Sequence, residues 1–80
     1  MLLCASQATF ALEINQANEA ELDSLKGMGP SLSAKVLKAR TDGPFKSWAD
    51  LMRRVSGVGR SKAQQFSEQG LTVNGQTLKP

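Results

Sequence analysis

Apolar residues recur at helical spacing along most of this 80-residue chain, and a glycine, one apolar residue and a second glycine interrupt the pattern twice. Asn18 precedes the first periodic stretch and Glu21 stands three residues on, which suits an N-cap with acid in the first turn. Leu22 and Leu25 supply the apolar contacts of that short helix. Gly27 breaks it, and Pro30 suits the first position of the next helix, where its missing N–H is not needed. This second helix runs to about Arg40, with Leu32, Val36 and Ala39 on one side and Lys35 and Lys38 projecting from another. Asp42-Gly43 is turn chemistry, and Pro44 disfavours helix at the residue before it. Ser47 with Asp50 gives another capping signature. Behind it, Trp48, Leu51, Met52 and Val55 form an i, i+3, i+4, i+7 stripe that predicts a core-facing helix. Gly57 and Gly59 end that helix. The next runs from Ser61 to about Gln69, with Ala63 and Phe66 inward and Gly70 as its stop. Asn74-Gly75 suits a two-residue hairpin turn, but the expectation for residues 74–80 is a loose tail.

The two halves of this pattern are copies. At an offset of 30 residues, Gly27 and Gly29 match Gly57 and Gly59, and Ser31 matches Ser61. The apolar positions Leu22/Met52, Leu25/Val55, Met28/Val58 and Val36/Phe66 recur with them. The order is therefore helix, hairpin, helix, connector, helix, hairpin, helix, by duplication.

Composition narrows the function. Eighty residues make one small domain with a modest core, and 40% apolar residues suffice for it. One Cys and no His leave no disulfide within a monomer, no His-based catalytic pair and little prospect of a Zn site. No acid/base pair or activated nucleophile is evident, so no enzyme activity and no cofactor are expected. No stretch approaches the ~20 apolar residues that span a membrane. The net charge of +3 is unevenly spread. Residues 1–25 hold four acids and no base, whereas residues 26–62 hold nine bases against two acids, a net +7 around the two hairpins. That placement favours a polyanionic partner. The first residues, MLLCASQATFA, resemble the back end of a signal peptide cleaved after Ala8 or Ala11, although a basic start is missing. Residues 1–11 are expected to be a signal remnant or a disordered leader, residues 12–73 the domain.

Glycine at the corners of a tight helix pair is a structural requirement in itself, because residues with a Cβ resist the angles. The apolar residue between the glycines, Met28 or Val58, is expected to tuck into the core. A bare loop running into a helix N-terminus also lets backbone N–H groups approach a phosphate oxygen. Ser31 and Ser61 add hydroxyls, and Lys26, Lys35, Arg60 and Lys62 add charge. Such a site positions a backbone without reading base edges. A dinucleotide fingerprint needs a third glycine where Leu32 stands, and a P-loop needs a Gly-Lys-Ser/Thr that neither hairpin has.

The stretch INQANEAELDSLKGMGPSLSAKVLKAR followed by GPFKSWADLMRRVSGVGRSKAQQF resembles the tandem helix-hairpin-helix domain of the competence protein ComEA family. The likeness covers roughly residues 13–73. It includes Ile14-Asn15 with Ala17, the Leu-x-x-Leu-x-Gly-x-Gly-Pro hairpin and the Gly43-Pro44-Phe45 connector. It implies an all-α fold, a tandem helix-hairpin-helix domain of four to five short helices with pseudo-two-fold symmetry. It further implies non-sequence-specific binding of double-stranded DNA, with the two hairpins gripping phosphates on both strands beside the minor groove. The family acts outside the inner membrane in DNA uptake for natural transformation, so a periplasmic or secreted location is expected. Other competence proteins and oligomerisation on DNA join the expected partners. By motif position the DNA-binding set is Lys26, Gly27, Met28, Gly29, Ser31, Lys35, Gly57, Val58, Gly59, Arg60, Ser61 and Lys62. Two departures are Arg60, where the first copy has Pro30, and Lys26, where proline is common. The membrane anchor and extra domain of some relatives are not among these 80 residues, and both a membrane-held receptor and a free DNA binder stay open.

A protein-interaction module without DNA binding is the alternative. Helix pairs of this kind also serve as docking surfaces, with Phe45 and Trp48 as exposed anchors. The apolar stripe places Trp48 in the core instead, and the clustering of charge around both hairpins favours DNA.

Overall fold

The structure, a computed structural model, describes residues 11–79. The leader assigned to residues 1–11 lies outside these, save for Ala11. Four helices form the all-α body: α1 (Glu19–Asp23), α2 (Pro30–Arg40), α3 (Trp48–Arg54) and α4 (Arg60–Glu68). Asn18 caps α1 in a full capping box: its side chain accepts from the Glu21 N–H, and the Glu21 carboxylate accepts from the Asn18 N–H. Ser47 caps α3 by accepting from the Asp50 N–H, but Asp50 does not reciprocate. Its carboxylate instead accepts from the Lys46 N–H and from Arg53 and Arg54, at 2.9, 2.7 and 3.1 Å.

The core joins both repeats. Leu22, Leu25 and Val36 from the first half are buried with Leu51, Val55, Ala63 and Phe66 from the second. Phe45 and Trp48 lie with them, at 0% and 6% exposure, so neither aromatic stands at the surface as a docking anchor. Met52, expected inward, is only partly buried.

Two features were not legible in the helical pattern. Leu12–Glu13 (β1) pairs in parallel with Leu71–Thr72 (β2), a sheet of two residues per strand that joins the start of the domain to the end of α4. A two-residue strand is too short to display a period. The tail is also not loose. Val73 and Gln76 form an antiparallel bridge around Asn74 and Gly75, whose φ values of 53° and 77° give the turn that Asn-Gly favours. The buried indole N–H of Trp48 donates to the Gln76 carbonyl at 2.9 Å, and the Leu78 N–H donates to Ser67 Oγ at 2.9 Å. A buried Trp needs an acceptor for its N–H, and the tail supplies it.

The Glu13 carboxylate ties these ends together, accepting from the N–H groups of Asn74 and Gly75 and from the Thr72 hydroxyl. Burial raises its pKa, but the hydrogen bonds outweigh burial and hold it below the ordinary glutamate value. The Asp50 carboxyl is likewise lowered, chiefly by the Lys46 N–H and then, against the effect of burial, by Arg54 and Arg53.

Candidate functional site

α2 and α4 begin differently from α1 and α3. Their N-caps are Gly29 and Gly59, and neither has a side-chain hydrogen bond to the helix. No acid stands in the first turn of either helix, whereas α1 carries Glu19 and Glu21 and α3 carries Asp50. The first hydrogen bond back to each cap comes from Ser33 and from Ala63, both at 2.9 Å. The N–H groups of Ser31 and Leu32, and of Arg60, Ser61 and Lys62, therefore precede the first intrahelical bond, with the positive end of the helix dipole uncompensated. Pro30 contributes no N–H, so α2 presents one donor fewer than α4.

The loops leave these donors open. A Cβ built on Gly29 or Gly59 meets nothing within 4 Å. Gly27 and Gly57 serve the turn itself, with φ values of 92° and 101° that side-chain-bearing residues rarely adopt. Met28 and Val58, the apolar residues between the glycines, tuck into the core as expected. They are buried at 4% and 3% exposure, and their N–H groups already donate to the carbonyls of Leu25 and Val55. Their side chains anchor the hairpins to the core. Lys26, Ser31, Lys35, Arg60 and Ser61 are exposed.

Lys62 is placed otherwise than its sequence position suggests. Its ammonium lies at the first hairpin, donating to the Gly27 carbonyl at 2.9 Å. The Gln69 side chain grips the neighbouring peptide, accepting from the Lys26 N–H at 2.8 Å and donating to the Lys26 carbonyl at 3.0 Å. These glutamine contacts span 43 residues of chain, and no local pattern announces them.

Two of the nine cations of the basic centre are spent inside the fold. Arg40 donates to the carbonyls of Ile14 and Ala17 at 2.8 and 2.7 Å. Arg54 donates to the carbonyls of Ala39, Gly43 and Pro44 and to Asp50, with its guanidinium 4.5 Å from the Phe45 ring centre. It thereby satisfies the C-terminal end of α2 and the connector. Arg53 pairs with Asp50 but remains largely exposed. The positive charge open to a ligand is thus smaller than the count of bases and more closely gathered at the hairpins.

Among the described residues, no group of three or more Cys, Asp or Glu side chains is placed to hold a metal ion, and no helix is long and apolar enough to cross a membrane. No curated protein and no solved structure matches the chain significantly. The sequence profile of the helix-hairpin-helix motif does match, over residues 8–69, which takes in both glycine hairpins and all four helices. With that match and two glycine-cornered helix pairs in one fold, the chain belongs to the helix-hairpin-helix motif family.

Proposed function

We propose that this protein binds double-stranded DNA without regard to sequence, by presenting one glycine-capped helix N-terminus to each strand's phosphates. One contrast carries the reading. Within a single chain, the two helices that begin outside the hairpins are closed by their own side chains and acids, while the two that begin at the hairpins are left bare. Uncapped donors beside Lys26, Arg60 and Lys62 suit a phosphate oxygen and offer no means of reading a base edge. The doubling of the site suits a ligand with two parallel rows of phosphates.

The resemblance to the ComEA family supports DNA uptake in natural transformation as the setting, and a periplasmic or secreted location with it. The protein in this reading is a binder and not an enzyme.

The test is binding of the full chain to two labelled duplexes of equal length and unrelated sequence at low salt. Affinities within about twofold of each other are expected. A strong preference for one duplex would refute backbone recognition. Absence of binding to both would favour a protein partner docking on the same hairpins.

A further inference from the structure

The two repeats touch each other reciprocally. At the 30-residue offset, Gly27 corresponds to Gly57 and Lys62 to Leu32. The Lys62 ammonium lies against Gly27, and Leu32 Cδ1 would lie 3.2 Å from a Cβ on Gly57. Each helix that follows a hairpin thus packs its third residue against the other hairpin. The same relation carries further down the helices. Gln65 of α4 and Gln69, its C-cap, reach the backbone of Lys26 in the first hairpin. Their counterparts on α2 are Lys35 and Ala39, and both line a cleft of about 310 Å³ together with Lys38 and Ser56, the counterpart of Lys26. Where the first hairpin is filled by two carboxamides, the second has an open cleft bordered by two ammonium groups, with the Arg54 guanidinium and the Asp42 carboxylate also on its wall.

We infer that each hairpin is equipped by the helix behind the other: Lys62, Gln65 and Gln69 position the first hairpin, and Lys35 and Lys38 furnish a phosphate subsite beside the second. This rests on the DNA reading for its phosphate half only, because the clasp on Lys26 is a property of the free protein. The consequence is an unequal pair. The first hairpin is held in its binding shape before any ligand arrives, with its outward carbonyls occupied. The second keeps an open flank at Ser56, lined by lysines from the first repeat.

Residue-resolved amide exchange and a duplex titration, both on the full chain, test the two halves. In Gln69→Ala, the Lys26 amide should exchange at least tenfold faster, while the core amides of Leu51 and Ala63 keep their wild-type rates. An unchanged Lys26 amide, or acceleration spread equally over the core, would overturn the clasp. On titration with a short duplex, Lys62→Met should reduce the amide shift changes at residues 29–32 more than those at 59–62. Lys35→Gln with Lys38→Gln should do the opposite. If each substitution instead weakens the hairpin of its own repeat, the exchange of equipment between repeats is wrong. If the wild-type amides of neither hairpin respond to DNA, the DNA reading and the subsite fail together, while the exchange rates still decide the clasp.

Discussion

Gly29→Ala and Gly59→Ala separate backbone recognition from backbone conformation. Both glycines have ordinary extended angles, φ −84° with ψ 174° and φ −91° with ψ −173°, which alanine also adopts. A methyl group at either position stands in open space, so the fold has no reason to move. Alanine is a poorer N-cap than glycine by up to about 1 kcal/mol, partly offset by the lower entropy of its unfolded chain. The net loss is small against the ~5 kcal/mol of a domain this size. That same open space is where a phosphate must approach the N–H groups of residues 31–32 or 60–62. Displacing it forfeits at least one hydrogen bond to a charged acceptor, about 1.5–3 kcal/mol. Each variant should therefore bind a duplex at least about tenfold more weakly, and the pair about 100-fold if the sites act independently. Because no cation is removed, the slope of log K against log salt should keep its wild-type value. Fluorescence anisotropy over a salt series measures both quantities, with thermal unfolding as the control. Wild-type affinity in the double variant would refute the mechanism, and a shallower slope would show that the lysines had moved.

Other outcomes follow from the same geometry. Gly27→Ala and Gly57→Ala force positive φ on a residue with a Cβ and should each cost about 1–2 kcal/mol in urea unfolding. Arg54→Met should destabilise by about 2–4 kcal/mol by removing the donor to the carbonyls of Gly43 and Pro44 and one of the two to Ala39, while the salt slope stays near wild type because this guanidinium is engaged by acceptors of the fold. Since the folded pKa values of Glu13 and Asp50 lie below their ordinary ones, their contribution is present above the unfolded pKa and is lost as pH falls through the folded value. Unfolding midpoints should therefore drop below about pH 4, and Glu13→Gln should flatten that acid limb; an unaltered limb would show that the turn at Asn74 does not depend on the carboxylate.

The sequence revealed what is local and periodic. Asn18 with Glu21, Pro30 after Gly29 and the stripe of Trp48, Leu51 and Val55 each state their role within one or two helical turns, and the structure places them accordingly. The exception among caps is Asp50, which has the spacing of a capping box but is drawn away by two arginines and the Lys46 N–H. What escaped notice joins distant parts of the chain: the parallel pairing of Leu12 with Leu71, the hold of Gln69 on Lys26, and the inward turn of Arg40 and Arg54. A charge count cannot distinguish an arginine facing solvent from one that closes a helix end. The repeat did contain a usable signal, since the 30-residue offset sets Lys35 opposite Gln65, but only with both repeats in contact does that pairing acquire a meaning.

The most direct test of the account is the salt dependence of duplex binding by the full wild-type chain. Lys26, Lys35, Lys38, Arg60 and Lys62 are the cations gathered at the two hairpins and the adjoining cleft. Neutralising about five phosphates predicts that log K falls with log salt at a slope of roughly −4 to −5, alike for duplexes of unrelated sequence. A slope near zero, or one that differs between sequences, would contradict phosphate recognition by the paired hairpins.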